Sequence, residues 1–256
     1  MDQLLGRSGF AALALLAGSI AMVKATETQK IAFGRESLQL RGETVESEEH
    51  NIVAMRLQTD RGDIISRFHP VDPAKTKGLG VVWVGGAGGG LDGPARGLYP
   101  AASERLQEVG IASLRLHYRR PNDLENCILD TLAGVAFLVK KGATRVALVG
   151  HSFGGAVVIS AGAVSPNVQA VVPMSSQTYG TELTPNVAPR PMLLIHGMAD
   201  DVLSPMCSRQ LYAAAREPKE IKLYPGTGHG LDEVRQEVLD LLVRWIPEKL
   251  AGKAAR

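Results

Sequence analysis

The chain has 256 residues, of which 45% are hydrophobic and 21% are charged, so it is long enough to bury one sizeable core. Its net charge is +2 with acidic and basic residues nearly balanced, which argues against nucleic acid or an anionic membrane as the main partner. Two cysteines are too few for a disulfide scaffold and lack the close pairing of a zinc knuckle.

Residues 1–25 contain an apolar run, from Phe10 to Val23, that follows Arg7 and ends near small residues. This layout is typical of a secretory signal peptide, and the run is shorter than the ~20 apolar residues of a stable membrane span. Asp2 and Lys24 fit the layout poorly. Two alternatives stay open: an exported protein with a cleaved signal, towards which the pattern leans, or a cytoplasmic protein with an N-terminal apolar segment.

The rest of the chain predicts a sheet that begins antiparallel and continues parallel. Residues 52–70 alternate in polarity around a turn at 60–63, and residues 79–86 form a continuous apolar run of the kind buried on both faces of a sheet. Strands and helices then alternate, which indicates a single doubly wound α/β domain over residues 46–250. The predicted strands are 111–118, 145–150, 168–174, 191–197 and 220–226, and the predicted helices are 95–108, 122–140, one from 153, one after 205, and 230–250.

Four predicted strands end in segments that are rich in glycine or in polar residues. They read GGAGGG at 85–90, GHSFGG at 150–155, HGMADD at 196–201 and PGTGHG at 225–230. Ligands of open α/β sheets bind beyond the carboxyl ends of the strands, so these segments are where chemistry is expected. The longest irregular segment after the second of them, residues 175–190, is too short for a large lid.

Ser152 is the candidate nucleophile. Glycines flank it at positions i−2 and i+2, as a strand-to-helix nucleophile elbow requires, because Cβ atoms there would clash in the tight turn. The same turn places the backbone N–H of Phe153 at a helix N-terminus, where it can stabilise a developing oxyanion. An idle serine in a glycine-rich turn is the alternative explanation.

A serine hydroxyl needs a base, and the base needs an orienting carboxylate. In this class of fold the chain order is serine, then acid, then histidine. His229 is the histidine that follows the acidic segment, so it is the candidate base. Asp200 and Asp201 are adjacent and point differently; Asp200 is preferred as the acid because it lies on the first turn past the strand, with Asp201 as a solvated neighbour.

The second oxyanion donor is expected in the glycine-rich loop at 85–90, from the N–H of Ala87 or of the neighbouring Gly86. Residues 88–93 also match the dinucleotide fingerprint G-x-G-x-x-G, but no helix opens within it and no acidic residue ends the next strand. With no HExxH, no Walker loop and no clustered metal ligands, we predict neither cofactor nor metal.

Four residues that follow neighbouring strands are candidates for lining the mouth of the substrate pocket: Tyr118, Arg119, Gln177 and Tyr179. An arginine at that place could hold a substrate carboxylate. The alternative for Arg119 is a surface arginine that is paired or solvated.

The motifs at 150–155, 194–201 and 225–230, in this order on alternating strands and helices, resemble the α/β-hydrolase superfamily, particularly its small lidless members of the dienelactone-hydrolase and carboxylesterase kind. The resemblance covers residues 63–250 and implies an eight-stranded, mostly parallel sheet and a triad of Ser152, Asp200 and His229. There are two departures. Gly85-Gly86 replaces the His-Gly that many members carry before the oxyanion loop, and dienelactone hydrolases proper use cysteine where this chain has serine.

The leading hypothesis is a serine hydrolase that cleaves a carboxylic ester or related acyl bond of a small molecule through an acyl-enzyme on Ser152. An acyltransferase or a peptidase could use the same triad, because only the acceptor or the leaving group differs. The fold could also serve as a non-catalytic binding module, since a fold does not fix a function. The sequence leaves the oligomeric state open.

Overall fold

The computed structural model describes residues 28–252, so the predicted signal segment at residues 1–25 lies outside the described residues. Ten strands form one sheet in the order β1-β2-β3-β4-β6-β5-β7-β8-β9-β10. The strands are β1 (Gln29–Phe33), β2 (Glu36–Glu49), β3 (Ile52–Thr59), β4 (Ile64–His69), β5 (Leu79–Val84), β6 (Ile111–His117), β7 (Arg145–His151), β8 (Val168–Met174), β9 (Met192–Gly197) and β10 (Lys219–Tyr224).

Strands β1 to β4 pair antiparallel, β4 pairs antiparallel with β6, and the six strands from β6 to β10 in the sheet order are parallel. β5 lies in the middle of the ten-stranded sheet, as the second of its six parallel strands, and all six of its residues are buried. A strand covered on both faces reads as a continuous apolar run, which explains the pattern LGVVWV. This is the α/β-hydrolase arrangement that the sequence resemblance implied.

Helices cover both faces of the sheet and divide the core into two apolar clusters. One cluster lies under α2 and α3 with part of α4, and the other lies under α1 and α5. The helices are α1 (Pro94–Glu108), α2 (Leu124–Lys140), α3 (Phe153–Val164), α4 (Met206–Ala214) and α5 (Arg235–Ala251).

The sheet has ten strands, so the prediction of eight was wrong. The two additional strands, β1 and β2, form a hairpin that joins the antiparallel edge through β3. Its turn is made at Gly34, which has a φ of 58°. Only Ile31, Leu38 and Leu40 of this hairpin are buried, and residues 44–49 of β2 are all exposed, so the apolar alternation is too short to stand out in the sequence.

Two predicted helices begin differently from the expectation. In α1, the residues from Ala95 to Gly97 have positive φ angles, so a regular helix is established only after them. The last helix, α5, begins at Arg235 after a short 3₁₀ turn at Asp232–Val234, rather than at residue 230. Both departures bring irregular backbone to the carboxyl edge of the sheet, next to the candidate site.

The segment between β8 and β9 contains only a 3₁₀ turn at Thr184–Asn186, so no lid domain is inserted there. Within residues 28–252, none of the helices combines the length and the apolar character that crossing a bilayer requires.

A buried polar pair lies in the sheet where β4 meets β6. Arg115 Nε donates to His69 Nε2 at 3.0 Å, and both residues are buried. Burial, with the adjacent positive charge of Arg115, lowers the pKa of His69 to about 3. His69 is therefore neutral in the folded protein at pH values where the unfolded chain already binds a proton.

We expect this pair to weaken the fold as the pH falls. Below a pH of ~6.5 the unfolded state takes up a proton at His69 and the folded state does not, so folding stability is lost down to a pH of about 3. Between pH 7 and pH 5 the loss attributable to His69 is roughly 2 kcal/mol. Urea unfolding at pH 7 and at pH 5 should show that His69→Gln loses roughly 2 kcal/mol less stability between these pH values than the natural protein does. Equal losses in His69→Gln and in the natural protein would contradict the expectation.

Candidate active site

Ser152 lies between β7 and α3 in a conformation that L-amino acids rarely adopt. Its backbone angles are φ 58° and ψ −121°, and it immediately precedes the first residue of α3. A strained residue of this kind costs of order 1–3 kcal/mol and persists only where its surroundings enforce it. The geometry is that of a nucleophile elbow, which turns the serine side chain out of the sheet.

Glycines around Ser152 allow the backbone segments to meet at van der Waals distance. A Cβ added to Gly150 would lie 2.1 Å from the carbonyl oxygen of Gly154, and a Cβ added to Gly154 would lie 2.2 Å from the carbonyl oxygen of Gly85. Side chains at either position would therefore push α3 away from the ends of β5 and β7. The two glycines that frame the serine are required by contact, as the sequence pattern predicted.

His229 and Asp200 lie in hydrogen-bonding contact, although 29 residues separate them. Nδ1 of His229 is 2.7 Å from Oδ2 of Asp200. The histidine is on the loop between β10 and α5, and the aspartate follows β9, so the parallel pairing of β9 with β10 brings the two loops together. Because Nδ1 faces the carboxylate, it carries the proton, and Nε2 is left as the basic nitrogen.

Asp200 is held by its own loop. Its Oδ1 accepts hydrogen bonds from the backbone N–H groups of Val202 at 2.9 Å and Leu203 at 2.8 Å. Burial alone would raise the pKa of Asp200, but the hydrogen bonds from Leu203, His229 and Val202 outweigh it, so the pKa lies below its ordinary value. The carboxylate is therefore ionised at neutral pH, as an orienting acid must be.

Asp201, the alternative acid, is exposed. Its neighbour Asp200 has a fully buried side chain, and it is Asp200 that contacts His229. Adjacent residues in this turn point to opposite sides, which separates the two aspartates where the sequence alone could not.

His151 joins the loop of His229 to the elbow of Ser152. Its Nε2 lies 2.9 Å from the carbonyl oxygen of His229, and the two imidazole rings are 4.7 Å apart between centroids. Burial lowers the pKa of His151 to about 4 against the opposing hydrogen bond to His229, so this ring is neutral at pH 7 and donates its Nε2 proton to the carbonyl. His151 thus fixes the loop of the candidate base to the residue before the candidate nucleophile.

The loop after β5 approaches the serine at Gly86, where an added Cβ would lie 3.8 Å from the Ser152 Oγ. Two N–H groups of this loop hold its shape: Gly89 donates to the Gly86 carbonyl oxygen at 2.9 Å, and Gly90 donates to Nδ1 of His117 at 2.9 Å. The predicted donors, Ala87 and Gly86, lie in the turn that these bonds close. Phe153, the other predicted donor, is the first residue of α3, where a backbone N–H has no partner within the helix.

Tyr118 and Arg119, which were predicted to line the pocket mouth, have partners inside the protein. The Tyr118 hydroxyl donates to the Gly85 carbonyl oxygen at 3.2 Å and is buried under the loop after β5. Nε of Arg119 is 2.5 Å from Oδ1 of Asp130, and both side chains are almost fully buried. A substrate carboxylate would have to compete with Asp130 for this guanidinium. Arg119 is therefore a paired arginine, which was the alternative to a role in binding substrate.

Gln177 and Tyr179 lie in the segment that follows β8. The Gln177 side chain donates to the Tyr179 carbonyl oxygen at 3.0 Å, and the Tyr179 ring is 76% exposed. A large aromatic side chain that is this exposed, at the carboxyl edge of the sheet, is free to contact a ligand.

An open cleft of about 290 Å³ lies beside the loop after β5. His151 forms one side of it, and the rest is lined by the glycine-rich loop and the start of α1: Gly85, Gly86, Gly89, Gly90, Leu91, Asp92, Gly93 and Pro94. No group of three or more histidine, cysteine or acidic side chains in the described part of the chain is arranged to hold a metal ion.

Two histidines near the site, His151 and His196, are not among the site residues that the sequence predicted. His196 is completely buried, and its Nε2 lies 3.0 Å from Oδ2 of Asp200. The sequence did contain a signal for His196: it is a histidine at the end of an apolar strand, four residues before the candidate acid.

The model of the dienelactone hydrolase family matches residues 102–244, more than half of the chain. The chain belongs to the dienelactone hydrolase family. Membership makes it an α/β-hydrolase enzyme, and the matched segment includes Ser152, Asp200 and His229.

Solved structures share the fold of this dienelactone hydrolase family member at low sequence identity. A dienelactone hydrolase from Anabaena variabilis has a TM-score of 0.68 and 20% identity and covers 77% of this chain and 97% of its own. Est1E from Butyrivibrio proteoclasticus has a TM-score of 0.64 and 19% identity, with coverages of 78% and 99%. XC6422 from Xanthomonas campestris, described as an α/β serine hydrolase without a lid, has a TM-score of 0.61 and 17% identity, with coverages of 78% and 97%.

Sequence similarity to curated proteins is local. A stretch of 50 residues is 44% identical to YfhR of Escherichia coli K12, which is described as uncharacterized. The stretch covers 20% of this chain and 18% of YfhR.

The contact between Gly154 and the end of β5 gives a prediction for this family member. In Gly154→Ala, the added methyl group would meet the Gly85 carbonyl oxygen, so we expect the free energy of unfolding to fall by about 3 kcal/mol, towards the upper end for overpacked sites. Gly88→Ala is the matched control, because an added Cβ there meets nothing within 4 Å, and it should change stability by less than about 0.5 kcal/mol. Thermal and urea unfolding measure both variants, and equal effects would contradict the role of the contact.

Proposed function

We propose that this protein is a serine hydrolase that cleaves a carboxylic ester of a small molecule through an acyl-enzyme on Ser152. The observation that carries the proposal is the buried Asp200 carboxylate, 2.7 Å from Nδ1 of a histidine whose loop is bonded to the nucleophile elbow through His151. Acid and base are in contact, and the loop of the base is bonded to the elbow that carries Ser152. The membership of the dienelactone hydrolase family supports the hydrolytic reaction class.

In the first step, Nε2 of His229 takes the hydroxyl proton of Ser152 while Oγ attacks the acyl carbon of the ester. Asp200 keeps the proton of the imidazole on Nδ1 and stabilises the imidazolium that forms, through the contact of 2.7 Å. The tetrahedral intermediate then collapses. The bond to the leaving alcohol breaks, and His229 donates the proton to the departing oxygen.

The negative charge on the acyl oxygen would be stabilised by the backbone N–H groups of Phe153 and Ala87, with Gly86 as the neighbouring donor. Phe153 contributes the N-terminus of α3, whose dipole favours an anion. Ala87 lies in the turn closed by the Gly89 to Gly86 hydrogen bond, so its amide is held in place before the substrate binds. Preorganised donors of this kind are worth ~3 kcal/mol each in the transition state.

In the second step, water attacks the acyl-enzyme as His229 takes its proton, and the acid is released with Ser152 restored. The cleft beside the elbow is open, so water can reach the ester bond. This access favours hydrolysis over transfer to a second acceptor. An acyltransferase or a peptidase would use the same residues and differ only in the acceptor or the leaving group.

The contacts around the cleft support a substrate without a carboxylate. Arg119 is paired with the buried Asp130, and Arg115 is bonded to Asp92 at 3.2 Å and to His69 at 3.0 Å. The Asp92 carboxylate lies at the cleft and already occupies the Arg115 guanidinium, so that arginine is not free to bind a substrate carboxylate. Neutral esters are therefore the favoured substrates.

The hairpin of β1 and β2 belongs to the same sheet as the site. This supports one hydrolase domain that contains the predicted residues 46–250 together with the hairpin that precedes them.

Replacing the nucleophile is the direct test. We expect Ser152→Ala to lose at least several thousandfold in kcat on a short neutral p-nitrophenyl ester and to lose covalent labelling by a fluorophosphonate probe. Ser47→Ala, which changes an exposed serine on β2, should label and turn over like the natural protein. A natural protein that neither labels nor turns over a panel of esters, or a Ser152→Ala variant that does both, would reject the proposal.

The two aspartates provide a second, internally matched test. Asp200→Asn replaces an acceptor of the His229 Nδ1 proton with a group that can present a donor there, so kcat should fall by about 10³- to 10⁴-fold. Asp201→Asn changes an exposed neighbour and should keep kcat within threefold of the natural value. If circular dichroism shows that both variants are folded and their kcat values fall by comparable factors, the assignment of Asp200 is contradicted.

A further inference from the structure

His196 is a fully buried histidine that the proposed serine mechanism does not use. It lies near the end of β9, four residues before Asp200, and both side chains have no exposed surface. Its Nε2 lies 3.0 Å from Oδ2 of Asp200 and 2.9 Å from the carbonyl oxygen of Leu203. Its Nδ1 lies 2.7 Å from Oγ of Ser208, which is also buried.

These contacts determine which nitrogen of His196 carries the proton. Nε2 faces an ionised carboxylate and a backbone carbonyl, and neither of these can donate a hydrogen bond. Nε2 must therefore carry a proton, and Nδ1 is hydrogen-bonded to the hydroxyl of Ser208. The ring is held in one orientation by α4 on one side and by the loop of Asp200 on the other.

Both oxygens of the Asp200 carboxylate are contacted by polar groups. Oδ1 accepts from the backbone N–H groups of Val202 and Leu203, and Oδ2 accepts from His229. Nε2 of His196, which donates to the Leu203 carbonyl, lies 3.0 Å from Oδ2. The contacts from Val202, Leu203 and His196 come from the strand and turn that carry Asp200, so they position the carboxylate independently of His229.

We propose that His196 is a positioning residue for the catalytic acid: its Nε2–H binds the Leu203 carbonyl and so holds the turn whose N–H groups bind Oδ1 of Asp200, while the same nitrogen lies against Oδ2, which receives Nδ1–H of His229. The proposal rests on the proposed function for its kinetic consequences. His229 is partly exposed on its loop, whereas His196 and Asp200 are buried, so the fixed side of the acid–base contact is the buried side. Without the Nε2 donor, the Leu203 carbonyl would lose its side-chain partner and Oδ2 would have only His229 beside it, so the turn and the carboxylate that it carries could shift.

Two substitutions separate positioning from packing. His196→Phe keeps a ring of similar shape and removes both nitrogens, and His196→Gln places an amide N–H near the position of Nε2. We expect His196→Phe to lower kcat about 10- to 100-fold with KM changed less than threefold, because displaced catalytic groups lose rates of this size. His196→Gln should keep kcat within about threefold to fivefold of the natural protein.

His69→Gln is the matched control, because His69 is also completely buried, is bonded to an arginine and lies on β4 rather than among the triad residues. It should lower the thermal midpoint without changing kcat on the p-nitrophenyl ester. A His196→Phe variant that is folded and keeps full kcat would overturn the proposal, as would a His196→Gln variant that loses as much activity as His196→Phe.

Proton NMR gives a measurement that needs no ester turnover. The Nδ1 proton that His229 donates to Asp200 should produce a low-field resonance that is lost in His229→Gln. We expect that resonance to shift in His196→Phe and in Ser208→Ala, and to stay unchanged in His69→Gln. An unchanged resonance in both of the first two variants would overturn the proposal even if the protein proves to hydrolyse no ester. Ser208→Ala also decides the matter if His196→Phe does not fold.

Discussion

The close backbone contact between the start of α3 and the end of β5 is the constraint on which the site depends. Gly154 approaches the Gly85 carbonyl oxygen closely enough that a Cβ would lie 2.2 Å from it. This contact sets Ser152 in its strained conformation and also brings the loop after β5 to the serine. The strain at one residue is balanced by burial of the surrounding strands, because β5 and β7 lie in the centre of the sheet with apolar layers on both faces.

A second constraint acts at the ends of β9 and β10, where a buried carboxylate is supplied with hydrogen bonds. Burying an isolated charge costs several kcal/mol, so the Asp200 side chain needs the donors around it. These hydrogen bonds have two consequences. They keep the pKa of Asp200 below its ordinary value, and they restrict the carboxylate to one orientation. A single arrangement therefore satisfies the requirement of the fold and the requirement of the proposed mechanism.

Much of the fold and most of the candidate site could be predicted from the sequence, because both follow from local patterns. The continuous apolar strands, the framing glycines and the order of serine, acid and histidine are readable residue by residue. The hairpin of β1 and β2 was missed since it buries few side chains, and its stability comes from pairing with β3. Pairing between distant segments leaves little trace in composition.

The functions of polar residues near the site were the least predictable, because they depend on partners from other elements. Arg119 and Tyr118 follow a central strand, as pocket residues would, but Asp130 on α2 and the carbonyl of Gly85 are their partners. His196 lies near the end of a strand, and its contact with Asp200 arises from the turn that follows that strand. In each case the residue type and its strand were visible in the sequence, and only the contact across elements assigned the role.

The openness of the site links the fold to the choice of reaction. No lid domain is inserted after β8, and the glycine-rich loop after β5 forms much of the cleft wall with backbone rather than with side chains. Such a wall supplies N–H groups for an oxyanion but little apolar surface to exclude water. An acyl-enzyme formed there would be exposed to solvent, so water has an advantage over any acceptor that must first bind. Specificity would then depend on the acyl group that fits between His151 and the loop.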